Sequence, residues 1–354
     1  AETPELIHRL YSQIVTEGEL PRCNSLTAEI VKTLENAYRD VRIAFATELV
    51  RYCDDNGIDY YALREKVNQH VGLSEAATRH PNAVPSGGLL IPMLGVGGHC
   101  LPKDGILLWW RALEAARPTA KSLILQARHI NDESPLSCLR QAEAAFGSLI
   151  NKRVALLGAA YRFNSEDTRN SPTLELARHL QARGADVRIH DPHVYPTDKN
   201  LAKYGLASTF SRQLEPVLDG AAAIFVCTAH REYLAAEAQI MKAGPVYDGC
   251  NAYQRQQGDG YTGIGRGQTA PSAALVEQAA RAFAAVERGV ANEVAALVDF
   301  LNERYASDDF TRVRYADVQR IAGTCVTGCR LPEPGPVTAS VDTFTSRLLT
   351  AATG

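Results

Sequence analysis

No stretch of the chain approaches the roughly 20 consecutive apolar residues that a membrane-spanning helix needs, so no membrane partner is expected. Excess charge is also missing: the formal net charge is only −3 over 354 residues. Without a basic surplus there is no electrostatic footprint for nucleic acid or for an acidic lipid surface. The first 20 residues carry charges and lack the apolar core of a secretion signal. Cysteine is present but unorganised. Cys23, Cys53, Cys100, Cys138, Cys227, Cys250, Cys325 and Cys329 are scattered, which excludes a disulfide framework and makes a reducing cytoplasm the expected compartment. The single close pair, Cys325 and Cys329, has no second pair and no nearby histidine, so no metal site is expected. Finally, the turn after the strand that opens near Lys152 reads "GAAYRFNSEDTRNSP", not G-x-G-x-x-G. The usual grip of a helix N-terminus on a dinucleotide pyrophosphate is therefore not written at that turn.

What is present is a soluble-type composition, 45% apolar and 22% charged, in a chain long enough for two or three cores. Leu6, Leu10 and Ile14 at helical spacing predict an amphipathic helix over the first 20 residues, followed by a short strand or loop near Leu20 to Asn24. "SLTAEIVKTLENAYRDVRIAFATELVRYCDDNG" predicts a second helix of roughly 30 residues, about 45 Å long at 1.5 Å per residue. Ser25 or Thr27 can cap it and Gly57 can end it. A helix of that length commonly links domains or forms a subunit contact. A shorter helix follows at about 59–70, then a Gly/Pro/Asn-rich loop from Gly72 to Gly98, the kind of long loop that usually carries function. Helices are expected after Cys100 to about Ala116, over 120–131 and over 135–149.

The pattern changes at Lys152. "RVALLGAAY", "ADVRIHDP", "AAAIFVCTAH", "GPVYDGC" and "YTGIG" read as short strands alternating with helices such as "SPTLELARHLQARG", with Pro172 in its first turn and Gly184 after its end. This predicts an α/β, doubly wound parallel sheet. The tail from Gln268 opens on a long helical pattern and offers no chemistry.

Three stretches carry reactive side chains. In "GVGGHCLPKDGILLWW", Cys100 follows Gly95, Gly97 and Gly98 and precedes Pro102, a first-turn residue. A cysteine at a helix N-terminus meets free amides and the helix dipole, which favour the thiolate. Asp104 lies one turn on, placed to orient water or exchange protons during covalent chemistry. The same residues also suit a buried cysteine after a glycine turn. In the long helix Lys32 and Asn36 share a face at i, i+4, where they could stabilise a developing oxyanion, with Glu29 and Arg39 within reach; an ordinary solvated polar face reads the same way. In "GAAYRFNSEDTRNSP", Arg162 and Arg169 sit where such sheets bind ligands and could clamp phosphates, or could pair with Glu166 and Asp167. His99 is a possible base or a substrate-facing residue.

Taken in order, "AEIVKTLENAYRDVRIAFATEL", "GVGGHCLPKD" and "VALLGAAYRFNSEDTRNSP" resemble three blocks of the nucleotide-sugar 6-dehydrogenases, the UDP-glucose/GDP-mannose dehydrogenase family. The blocks lie between about Glu5 and Gly267. The resemblance implies catalytic roles for Cys100, Lys32, Asn36 and Asp104. It implies substrate contacts at Gly95, Gly97, Gly98, His99, Arg39, Tyr161 and Arg162, and a cofactor contact at Arg169. An arginine that some relatives supply before the glycine loop falls at Arg79. The implied cofactor is NAD, and the implied reaction is a two-step oxidation of the C6 alcohol of a UDP-sugar. It runs through a thiohemiacetal and a thioester on cysteine, with two NAD per sugar. His before Cys is similar to the branch acting on UDP-N-acetylhexosamines such as UDP-N-acetylmannosamine, where the UDP-glucose branch has Ser. A homodimer through the long helix is expected. The expected organisation is a remnant of an NAD-binding domain (1–24), a helical central domain (25–150), a Rossmann-like UDP-sugar domain (151–267) and a helical extension (268–354). A family member would begin with a complete NAD-binding domain, and this chain reads as lacking it. UDP-glucose oxidation, or nucleotide-sugar binding without catalysis, are the competing readings.

Overall fold

The computed structural model describes residues 2–72, 88–114, 122–258, 260–324, 329–337 and 346–353. Arg79 and Cys325 lie outside the described residues.

The helical part opens with α1 (Glu2–Ile14), which exposes Leu6, Ile7, Leu10, Tyr11 and Ile14 and is tied back by an Arg22–Glu5 ion pair of 2.7 Å. The short strand or loop expected after it is a loop, residues 19–24. The long helix α2 runs Ser25–Asp55. Its cap is neither Ser25 nor Thr27 but Asn24, whose side chain accepts from the Thr27 amide at 2.8 Å; Asn24 has the extended backbone an N-cap needs, while both expected residues are already helical. Gly57 ends the run in the left-handed region (φ +64°), as a C-terminal glycine does. Helices α3 (Tyr60–His70), α4 (Cys100–Glu114), α5 (Leu123–Asp132) and α6 (Ser134–Phe146) follow, and α3, α4 and α5 all pack on α2.

The α/β part holds β1 (Arg153–Leu157), α7 (Pro172–Ala182), β2 (Asp186–His190), α8 (Lys199–Lys203), β3 (Phe210–Ser211), α9 (Leu214–Leu218), β4 (Ala223–Val226), α10 (Arg231–Ala235), α11 (Glu237–Ala243), β5 (Val246–Asp248) and β6 (Tyr261–Gly263). All pairings are parallel and the strand order is β3-β2-β1-β4-β5-β6. The order reverses between β1 and β4, so the loops after β1, β2 and β4 gather at the carboxyl edge where such sheets bind ligands. β1 and β4 are apolar and buried on both faces, as a sheet covered by helices on either side requires. The two-residue strand β3 was not expected, because so short a run carries no period to read.

The tail forms α12 (Ala273–Tyr305), α13 (Tyr315–Gly323) and α14 (Arg347–Thr353). These helices fold back onto the helical part: α12 packs on α2, α3 and α5, α13 on α2, and α14 on α5 and α12. Two buried carboxylates lock this arrangement. Glu293 of α12 caps the start of α5, accepting from the Leu123 amide and from Ser122 Oγ (3.3 Å). Reciprocally, Glu48 of α2 caps α14, accepting from Ser346 Oγ (2.6 Å) and the Arg347 amide (2.9 Å). As a result every residue of α2 from Asp40 to Val50 is buried within one chain. Over that stretch the helix is covered by its own chain. The free part of α2 is its N-terminal half, where Glu29 and Lys32 are exposed.

Candidate functional site

Cys100 is the first residue of α4 and is exposed. The glycines before it are there for close packing. A Cβ on Gly97 would lie 2.3 Å from Tyr161 Cβ, and one on Gly98 (φ +86°) would lie 2.9 Å from the Tyr161 hydroxyl. Gly95 sits as tightly against Pro172 at the head of α7 (2.9 Å). The loop is then pinned across the junction: the Gly98 amide donates to the Arg169 carbonyl (2.8 Å), and Asn170 Nδ2 donates to the Gly98 carbonyl (2.9 Å). Asn170 itself is left-handed (φ +47°), a conformation asparagine tolerates better than most. The cysteine of the helical part is thus seated directly on the loop after β1.

One turn along α4, Asp104 is buried (6% exposed) and accepts from Asn36 Nδ2 at 2.6 Å. Lys103 Nζ lies 3.6 Å from its other oxygen. The Asn36–Asp104 bond joins α2 to α4 and fixes both polar groups on the face that continues to Cys100. Lys32, one turn before Asn36, is largely exposed and reaches Glu35 at 3.9 Å. Arg39, one turn further in, is half-buried, with its Nε lacking a partner. Burial lowers its pKa, and the neighbouring cations Arg42 and Arg162 lower it further. Arg162 of the β1 loop is thus among the cations that act on Arg39, and two guanidinium groups near one another suit a polyanion.

The two arginines of the β1 loop have different fates. Arg169 is bound by its neighbour, donating to Asp167 from Nε (2.8 Å) and an Nη (2.6 Å), so its pairing is local. That pair holds the Asp167 carboxyl below its ordinary range. Arg162 makes no hydrogen bond or ion pair with a described residue. It lines a cleft of ≈ 740 Å³ at the carboxyl edge of the sheet, with Asn164 and Glu166 of its own loop, His193 and Tyr195 after β2, and Arg212 after β3. Arg212 stacks on Tyr195 (5.0 Å). His99 is exposed.

The residues do not form a dinucleotide seat. In a dinucleotide-binding sheet the turn after β1 turns its amides to a pyrophosphate. Here the Ala160 amide donates instead to the buried Asp191 carboxylate (2.9 Å). Thr228 crowds Gly158, where a Cβ would meet it at 2.6 Å. A negative side chain occupies the place a phosphate would need, so NAD does not fit this turn.

Sequence reasoning did find the Arg169–Asp167 pairing as one of its alternatives, but not Asn170, Asp191, Thr228 or His230. A signal existed for the last three. Asp191 follows β2, and Thr228 and His230 follow β4, all at strand carboxyl ends beside the reversal point.

Comparison with known proteins agrees with this arrangement. Residues 26–133 match the central domain of the UDP-glucose/GDP-mannose dehydrogenase family, and residues 155–255 match its UDP binding domain. A UDP-N-acetyl-D-mannosamine dehydrogenase of Pyrococcus horikoshii is 32% identical over 274 residues, covering 74% of this chain and 57% of that protein. One of Escherichia coli K12 is 32% identical over 62% of this chain and 49% of its own length. The solved structure of the P. horikoshii enzyme superposes with a TM-score of 0.59 over 75% of this chain and 58% of that one. An NDP-N-acetyl-D-galactosaminuronic acid dehydrogenase of Methanosarcina mazei Go1 is 31% identical and superposes with a TM-score of 0.57 over 73% and 55%. The chain spans about half the length of the curated relatives it matches. With both matched segments in order and the Cys100 loop docked between them, the chain belongs to the UDP-glucose/GDP-mannose dehydrogenase family.

Proposed function

We propose that this chain supplies the thiol centre and the nucleotide-holding half of a nucleotide-sugar 6-dehydrogenase. The observation that carries the reading is the junction itself. Cys100 heads α4, the Asn36–Asp104 bond lies one turn behind it, and Gly97 and Gly98 rest on the Tyr161 loop that presents Arg162. A UDP-sugar laid across this junction would place its diphosphate between Arg39 and Arg162 and its C6 carbon at Cys100. His99, Tyr161 and the glycine backbone at Gly95, Gly97 and Gly98 would line its path.

The cysteine sulfur adds to the C6 aldehyde to give a thiohemiacetal, its carbonyl oxygen taking up the proton. After oxidation the same sulfur holds the acyl carbon as a thioester, which water opens to the uronate and free thiol. Asn36 and Lys32 stabilise the oxygen charge that develops at C6, and Asp104 positions the water. NAD, when bound, supplies the hydride acceptor. It has no seat among the described residues; when bound it would take the hydride in both oxidations, alcohol to aldehyde and thiohemiacetal to thioester. The apolar stripe of α1 suits packing against a unit that would hold it, and Arg169, whose carbonyl accepts from the Gly98 amide two residues before Cys100, would contact the cofactor. Relatives that act on N-acetylated sugars, together with His99, favour a UDP-N-acetylhexosamine, with UDP-N-acetylmannosamine foremost.

Alkylation tests this on the chain as it stands. Cys100 and Cys23 are both exposed. UDP-N-acetylmannosamine should slow iodoacetamide labelling of Cys100 and leave Cys23 unchanged, with UDP-glucose protecting less. Equal labelling of Cys100 with and without nucleotide sugar removes the proposal. The turn after β1, where Asp191 rather than a pyrophosphate takes the Ala160 amide, favours a second reading, nucleotide-sugar binding alone; UDP binding without protection of Cys100 would select it.

A further inference from the structure

Between the β1 loop and the strand ends lies a buried polar cluster that the proposed chemistry does not use. Asp191 and His230 are both fully buried (0%). His230 Nε2 lies 3.2 Å from Asp191 Oδ2. Its other ring nitrogen, Nδ1, accepts from the Asn164 amide at 2.9 Å. An amide can only donate, so Nδ1 carries the lone pair and Nε2 the proton it gives to Asp191. The tautomer is thus set by the two bonds together.

Asp191 has no capacity left over. Its Oδ2 accepts from the Ala160 amide (2.9 Å) as well as from His230, and its Oδ1 accepts from the amides of His193 (2.8 Å) and Val194 (3.1 Å). Burial pushes the Asp191 carboxyl up, and the bonds from His230 and the amides more than offset that, so it stays below its ordinary value. Thr228 Oγ1 adds a bond to the Ala160 carbonyl (2.6 Å). Asn164 is left-handed (φ +51°), and its side-chain oxygen accepts from the Arg231 amide (3.2 Å).

The positions of these bonds matter more than their number. Ala160 and Asn164 bracket Tyr161, Arg162 and Phe163. The first bracket is held by Asp191 and Thr228, the second by His230, so both ends of the segment are anchored to the ends of β2 and β4. Of the residues between them, Tyr161 packs under Gly97 and Gly98, while Arg162 and Phe163 are exposed.

We propose that Asp191 and His230 form a positioning pair that fixes the 160–164 turn, and through it sets where Arg162 stands for the nucleotide diphosphate. This rests on the reading of Arg162 given above. His230 touches no substrate in this assignment; it acts through the turn. Losing its Nδ1 acceptor strands the Asn164 amide and frees a left-handed residue whose conformation the sequence alone would not hold.

UDP binding to the full chain, measured by calorimetry in a double-mutant cycle, tests the proposal. His230→Phe keeps the ring and removes both nitrogens. It should weaken UDP about tenfold, the size of one lost charge-assisted hydrogen bond. In the Arg162→Ala background the same change should have no further effect. His230→Asn, whose side-chain oxygen can take the place of Nδ1, should recover part of the loss and guards against a variant that simply fails to fold. Amide hydrogen exchange at Asn164 without nucleotide reads the turn directly: protection should be lost in His230→Phe and regained in His230→Asn. Unchanged protection in His230→Phe overturns the inference, as does a full tenfold loss in the Arg162→Ala background. If Arg162→Ala alone leaves UDP binding intact, the assignment of Arg162 fails instead, and the exchange experiment still decides whether His230 holds the turn.

Discussion

The two halves of α2 belong to one continuous helix and serve opposite ends. Over its first half, Lys32 is exposed, Arg39 is half-buried with an unpartnered Nε, and Asn36 turns to Asp104. Over Asp40 to Val50, nothing is exposed: Phe45 meets Phe283 of α12 at 5.7 Å between ring centroids, and Glu48 caps α14. The difference teaches that the rigid half holds the reactive half. A long helix sealed along one end by the tail can leave its other end open without losing its position.

The comparison can be broken most severely at the open end. Cys100→Ser should remove nucleotide-protected alkylation altogether, and uronate formation with it when a hydride acceptor is present, while thermal stability stays unchanged. Mass-spectrometric mapping of the label checks the first part. At the sealed end the converse holds. Phe45→Ala should cost about 3–5 kcal/mol, the usual range for emptying a buried aromatic site, measured by urea unfolding. Alkylation of Cys100 in the remaining folded protein should proceed at its normal rate. Next in size, Glu48→Ala leaves the Ser346 hydroxyl and the Arg347 amide without their acceptor and should cost about 1–3 kcal/mol. Hydrogen exchange should show the loss concentrated in α14.

A pH-dependent effect lies at the C-terminal end of α2. Burial pushes the Asp54 carboxyl up from its ordinary 3.8 to about 7, against the bonds it accepts from Gln141 and the Gly265 amide. A carboxyl whose folded pKa is raised stabilises fully below its unfolded value, and that contribution is lost as pH rises through the folded one. Melting temperature should therefore decline from about pH 4 to pH 7, and Asp54→Asn should make that decline smaller, the rest coming from Asp40 and Glu293, which burial also raises. A decline of equal size in the variant would assign it to other groups.

Much of this was legible before any coordinates. The α2 period, the strand–helix alternation after Lys152 and the Gly–Cys–Pro run each follow from local sequence. Their physical basis is local too: side-chain period, φ freedom at glycine, and the fixed φ of proline. The cap of α2 was misassigned because Asn24, Ser25 and Thr27 all have capping side chains, and only the backbone angle separates them. Arg162 and Arg169 were indistinguishable in sequence, since both are arginines in one acidic loop. The fold separates them by giving Asp167 to Arg169 and leaving Arg162 at the cleft.

The sequence by itself determined which chemistry is available: one cysteine at a helix start, an aspartate one turn on, a lysine and an asparagine on one helical face. Tertiary structure alone decided which of those groups meet. Asn36 and Asp104 are 68 positions apart, Ala160 and Asp191 are 31 apart, and Glu48 and Ser346 are 298 apart. No local periodicity encodes such pairs. They exist because burying the apolar faces of α2, α4 and the sheet leaves those polar groups facing one another, where an unmade bond would cost more than the bond they form.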